Sequence, residues 1–141
     1  MPNLPSQADP SPPPRLTKWI LVVDDEPSMR VLLQTVLRAH GWSVKIASGA
    51  DEAMALLWGA GPPPSVAVCD VLMPKVDGLA LVRRMVGRVP SLSIIFISGH
   101  LTDESWWPDD LRGHRFLGKP FDNAQLISAV ADAMAGAGRP G

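Results

Sequence analysis

The sequence predicts an α/β fold, a doubly wound parallel sheet of five strands with helices covering both faces. Three features point there. Short apolar runs such as WILVV, VAVC and SIIFI lack the alternation of a half-exposed strand, as expected where both faces of a strand are covered. The segments between the runs carry apolar residues at the spacing of one helical face. Several runs also stop on a polar or charged residue, Asp70 in VAVCD being the sharpest case, although an unpaired buried carboxylate is among the costliest groups a fold can hold.

Taken in order, WILVVD (19–24) is the first strand. PSMRVLLQTVLRAH (27–40) follows as a helix with Met29, Leu32, Leu33, Val36 and Leu37 at helical spacing. Pro27 suits its first position and Gly41 its end. SVKIA (43–47) is the second strand. Ser48 is expected to cap the next helix with Asp51 three residues on, and Ala53, Leu56 and Leu57 give that helix an inward face. GAGPPP (59–64) ends it as a loop, and VAVCD (66–70) is the third strand. Met73-Pro74 and Asp77-Gly78 read as turn chemistry, leading into GLALVRRMVGR (78–88), a helix entered from Asp77. SIIFIS (93–98) is the fourth strand and RFLG (115–118) a short fifth. Between them LTDESWWPDDLRGH (101–114) reads as a short or distorted helix, because a proline such as Pro108 inside a helix costs about 3 kcal/mol. DNAQLISAVADAM (122–134) closes the fold, with Asp122 and Gln125 in capping-box spacing. Trp19, Trp42 and Trp58 are expected to be packing residues and Cys69 a small core side chain.

At 141 residues the chain fits one domain, assigned to residues 18–136, and a chain of this size buries roughly two-thirds of the surface it would expose unfolded. Residues 1–17 hold six prolines and almost nothing apolar, so they read as a disordered tail, and residues 137–141 as a flexible one. A formal net charge of −1 provides no broad positive field, which argues against direct DNA binding. Cys69 is the sole cysteine, so neither an intrachain disulfide nor a thiolate zinc site is available, in keeping with a reducing cytoplasm. No apolar run approaches the roughly 18 residues of a membrane span, and no membrane association is expected.

An open parallel sheet binds ligands beyond the carboxyl ends of its strands, so the residues standing there are the candidate site. The first strand ends in Asp24-Asp25-Glu26, the third in Asp70 and the fourth in Ser98-Gly99, while Lys119-Pro120 follows the fifth. Singly, each has an ordinary role: the aspartates as turn formers or helix caps, Ser98 in a turn, Lys119 as a solvated lysine. Together, carboxylates crowded at one edge repel one another and raise their own pKa values unless a cation joins them. Oxygen donors with no His or Cys among them select Mg²⁺ or Ca²⁺ over Zn²⁺, and Mg²⁺ is commonly held by one or two carboxylates plus a phosphate.

The segments VVDDEP, VAVCDVLMPKVDG, FISGH and FLGKPF, in that order, resemble those of the response-regulator receiver domain of two-component signalling. The resemblance implies a flavodoxin-like sheet with strand order 2-1-3-4-5, and a role for each matching residue. Asp70 corresponds to the phosphoacceptor, which takes a phosphoryl group from a phosphohistidine on a histidine kinase or histidine phosphotransferase. Asp25 corresponds to a direct Mg²⁺ ligand and Asp24 to its acidic neighbour; Asp70 itself and the backbone carbonyl of Leu72 complete the protein's share of the metal site. Lys119 matches the lysine that pairs with the phosphoryl oxygens. Ser98 takes the place of the switch hydroxyl and Phe116 that of the switch aromatic, here without a phenolic oxygen. The switch reshapes the face made by the fourth helix, the fifth strand and the last helix, where Trp106 and Trp107 lie, and one of this pair is expected to contact a partner or a second copy of the chain. Leu72 cannot orient a water for hydrolysis; His100 either does so or is a surface histidine.

The leading expectation is therefore a single-domain receiver that catalyses only its own phosphorylation and dephosphorylation and acts on a downstream protein. A receiver from a hybrid histidine kinase would carry the same motifs. A phosphatase with an Asp nucleophile would want a second Asp two positions beyond Asp70, where Leu72 stands. A flavin-binding domain would want a phosphate-cradling loop after the first strand.

Overall fold

The computed structural model describes residues 18–59, 61–70, 72–73, 76–98 and 114–136. The 1–17 and 137–141 tails, His100, the segment around Pro108 and the Trp106–Trp107 pair lie outside the described residues. In chain order the elements are β1 (Trp19–Val23), α1 (Pro27–Ala39), β2 (Ser43–Ala47), α2 (Ala50–Trp58), β3 (Val66–Asp70), β4 (Leu72–Met73), β5 (Val76–Asp77), α3 (Gly78–Arg88), β6 (Ser93–Ser98), β7 (Arg115–Gly118) and α4 (Asn123–Gly136).

The main sheet runs β2-β1-β3-β6-β7, and every neighbouring pair in it is parallel. Counting main-sheet strands alone, this is the flavodoxin-like order 2-1-3-4-5. β1 and β3 are buried along their whole length because successive side chains enter two different cores. Trp19, Leu21 and Val23 pack with Leu57 of α2 and with Val82 and Met85 of α3. Ile20 and Val22 pack on the other face with Leu33 and Leu37 of α1 and with Leu126 and Val130 of α4. That double burial is the physical reason the strands read as unbroken apolar runs. At 0% exposure Phe96 is the largest fully buried side chain among the described residues.

Helix ends follow local chemistry, with one shift. α1 starts at Pro27 and stops in a Schellman arrangement, where Gly41 N–H donates to the Arg38 carbonyl and Trp42 N–H to the Leu37 carbonyl. Gly41 has φ 103°, a region open to glycine. α4 carries the expected capping box: Gln125 N–H donates to Asp122 Oδ1 at 2.7 Å and Asp122 N–H to Gln125 Oε1 at 2.9 Å. The expected Ser48–Asp51 cap is not formed. Gly49 is the N-cap of α2, so Glu52 is the third helical residue and reaches back to accept from both the Ser48 amide and the Ser48 hydroxyl.

Two packing expectations are corrected as well. Trp58 is 62% exposed; the buried positions of α2 are Ala53 and Leu57, which leaves Trp58 on the outer side, with the Arg88 guanidinium 3.6 Å from its ring centroid. Leu32 is 46% exposed, since α1 turns Leu33 and Leu37 into the core, with Met29 and Val36 packed beside them. β4 and β5 form a small antiparallel ladder, with Leu72 opposite Asp77 and Met73 opposite Val76; Pro74, part of the expected turn, lies outside the described residues.

Candidate functional site

β1 and β3 are adjacent and in parallel register, Val23 opposite Cys69, so the residues that follow, Asp24 and Asp70, emerge side by side at the carboxyl edge. Asp25 comes one residue later in the turn to α1. Carboxylate oxygens of Asp24, Asp25 and Asp70 all lie within 4.8 Å of one another; Asp24 and Asp70 are buried and Asp25 is exposed. The turn is tied down at several points. Asp24 N–H continues the sheet by donating to the Ala47 carbonyl at 3.2 Å. Glu26 N–H donates to Asp24 Oδ1 at 2.9 Å. Arg30 Nη1 donates to the Asp24 backbone carbonyl at 2.8 Å.

These bonds commit Asp24 Oδ1 and leave Oδ2 facing the cluster. Asp24 Oδ2 is fully buried and has no hydrogen-bond partner among the described residues. The nearest cation is Lys119 Nζ, 4.0 Å from Asp24 Oδ2 and 3.4 Å from Asp70 Oδ2, where it donates a hydrogen bond. Lys119 is delivered by β7, whose last residue Gly118 pairs with Ser98; Lys119 N–H donates to the Ser98 carbonyl at 2.8 Å, and the Lys119–Pro120 peptide is cis. Burial raises the pKa of Asp24; the Glu26 amide acts against it and the Asp70 charge with it. Crowding alone is thus a lesser cause than removal from water. Burial likewise pushes the Cys69 thiol up, so it behaves as an inert core side chain.

The remaining sequence-predicted residues fall around this edge. Ser98 ends β6 and is buried, one strand over from Asp70, which pairs with Ile97. Phe116 pairs with Phe96 and is half-buried against the core on the α2–α3 face. Leu72 opens β4 two residues beyond Asp70. Sequence reasoning missed Arg30 and a surface hollow of about 360 Å³ beside the site, lined by Met29, Leu32, Lys119, Pro120 and Phe121. Leu32, exposed on α1, forms part of its wall.

The donor set is all oxygen, one of the oxygens is buried and unsatisfied, and an ammonium stands at the rim. The arrangement fits a hard divalent cation. Residues 20–131 match the response regulator receiver domain. The chain belongs to that family. This receiver domain is 41% identical over 117 residues to the transcriptional regulatory protein TrcR of Mycobacterium tuberculosis, a match covering 79% of this chain and 43% of that one. It is 32% identical over 117 residues to the sensor kinase CckA of Brucella abortus, covering 82% of this chain and 12% of the relative. The crystal structure of the receiver domain of NtrX from Brucella abortus has a TM-score of 0.74 to it at 33% identity, covering 82% of this chain and 98% of that one. The chain spans about half or less of the length of these curated relatives. Among the described residues, no helix of the receiver domain is long and apolar enough to cross a membrane.

Proposed function

We propose that Asp70 is the phosphoacceptor of a two-component phosphorelay and takes its phosphoryl group from a histidine kinase or histidine phosphotransferase. The observation that carries this reading is the convergence of Asp24, Asp25 and Asp70 within 4.8 Å, with Lys119 Nζ 3.4 Å from Asp70. An Asp70 oxygen forms the new P–O bond as the P–N bond to the donor imidazole breaks, and the departing imidazole takes up a proton. Such transfers need positioning and charge stabilisation more than covalent chemistry. Asp24, Asp25, Asp70 and the Leu72 carbonyl are the groups that would hold Mg²⁺, which when bound supplies positive charge to the transferring oxygens. Lys119 supplies the second positive charge, and its hydrogen bond to Asp70 positions the carboxylate.

Phosphorylation adds about −1.5 to −2 charges at this edge, and a two-state element must answer it. Ser98 and Phe116 are the proposed switch pair, joined to the site through the bond from the Lys119 amide to the Ser98 carbonyl. Residues 18–136 are the proposed functional unit, acting in the cytoplasm on a downstream protein. Incubation with acetyl phosphate and Mg²⁺, read by intact mass, tests the reading. The chain should gain one phosphoryl group and Asp70→Asn should gain none; turnover without any accumulated adduct would favour a phosphatase instead.

A further inference from the structure

Arg30 is absent from every role assigned so far, yet its side chain makes the third tie on the turn that bears Asp24 and Asp25. In a parallel sheet the N–H and C=O of one residue point to the same neighbouring strand. Asp24 N–H finds its partner there, the Ala47 carbonyl, but β2 ends at Ala47, and the strand donor that would meet the Asp24 carbonyl is missing. Arg30 Nη1 takes that donor's place at 2.8 Å. Arg30 stands on the first turn of α1, where its own amide donates to the Glu26 carbonyl at 3.1 Å. One residue therefore fixes the backbone on both sides of Asp25: its side chain holds residue 24 and its amide holds residue 26.

We propose that Arg30 is a positioning residue for the divalent cation, setting the Asp24–Asp25 carboxylate pair by holding the Asp24 carbonyl. The inference rests on the cation reading above. With the Asp24 backbone fixed by Arg30 and its Oδ1 fixed by the Glu26 amide, Oδ2 is presented to the cluster in one orientation. The guanidinium makes this bond without occupying a carboxylate oxygen of the cluster. Without Arg30, the carbonyl must find another donor and the turn relaxes, so the oxygens lose the preorganised spacing that Mg²⁺, with its strict octahedral demand, requires.

The test is Mg²⁺ titration of the full chain by calorimetry, for wild type, Arg30→Met, Arg30→Lys and Asp25→Asn, with thermal unfolding in EDTA confirming that each is folded. Arg30→Met should raise the Mg²⁺ dissociation constant about tenfold, and Arg30→Lys, which keeps a charged donor, should stay within about threefold of wild type. In acetyl phosphate labelling, the loss should lie in the Mg²⁺ concentration for half-maximal rate, with the limiting rate within about twofold. An Arg30→Met affinity equal to wild type, or a tenfold lower limiting rate at unchanged affinity, overturns the proposal while leaving the cation site standing. If Arg30→Met does not fold, an Arg30→Lys dissociation constant more than tenfold above wild type overturns it, because the donor and charge are then not what matters. If wild type binds no better than Asp25→Asn, the cation reading itself fails and takes the proposal with it.

Discussion

Where β1 begins, Trp19 is 5% exposed, its indole N–H donates to the Pro62 carbonyl at 2.8 Å, and Lys45 Nζ lies 4.7 Å from its ring centroid. Just past the end of the same strand Asp24 is 1% exposed, and one of its carboxylate oxygens has no hydrogen-bond partner among the described residues. Six residues thus run from a polar group that is buried and satisfied to one that is buried and left wanting. The first contributes stability. The second costs stability in the metal-free chain, and such a group is kept where something else is meant to bind. The amino edge of the sheet should therefore be separable by mutation from the carboxyl edge.

The largest effect expected is at the amino edge. Trp19→Ala removes a buried aromatic from the α2–α3 core and should cost about 3–5 kcal/mol of stability in urea denaturation. Its Mg²⁺ affinity, measured where the variant remains folded, should stay within about twofold of wild type. Next is Lys119→Met, which removes the cation 3.4 Å from Asp70. Labelling by acetyl phosphate should slow by about 100-fold, the scale of losing one preorganised charge-stabilising donor, and stopped time points read by intact mass would measure it.

The smallest effect has the more telling sign. Asp24→Asn removes the buried charge and should stabilise the metal-free protein by about 1 kcal/mol, the low end of what an unsatisfied buried group costs, while abolishing stabilisation by Mg²⁺. Burial raises the folded-state pKa of Asp24 above its ordinary value of 3.8. A raised pKa means that the stabilising contribution of this group is complete below the ordinary value and is lost as pH rises through the folded one. The advantage of Asp24→Asn without metal should therefore be greatest at neutral pH and fade in acid, as urea midpoints measured from pH 7 downward would show. A variant less stable than wild type at neutral pH would mean that Asp24 is satisfied and that the two edges do not differ as described.

The same contrast explains what was legible in the sequence. Strand spans came through almost unaltered because residues such as Leu21 and Val22 are buried on opposite faces, which leaves no polar position to blur the run. Asp122 and Gln125 were legible because their capping box is local, three residues in span. The Ser48 cap failed by one residue because Gly49 adopts the extended N-cap conformation, a backbone choice that side-chain spacing does not reveal. Trp58 was misread because it follows the inward Leu57 directly, and aromatic character alone does not say which side of a helix a residue is on. At the site, the acidic strand ends were visible as motifs. The Arg30 tie was not, because its partner is a backbone carbonyl exposed only by the early end of β2. The 3.4 Å approach of Lys119 to Asp70, 49 residues apart, was readable only through the order of the motifs.

On this reading Asp24, Asp25 and Asp70 form one cation pocket around the proposed phosphoacceptor. A crystal structure of the chain grown with Mg²⁺ tests it most directly. A single ion should stand at this edge, with an oxygen of Asp25 and one of Asp70 each about 2.0–2.1 Å away and Lys119 still at the rim. Asp25 and Asp70 turned apart at saturating Mg²⁺, with no ion between them, would contradict it.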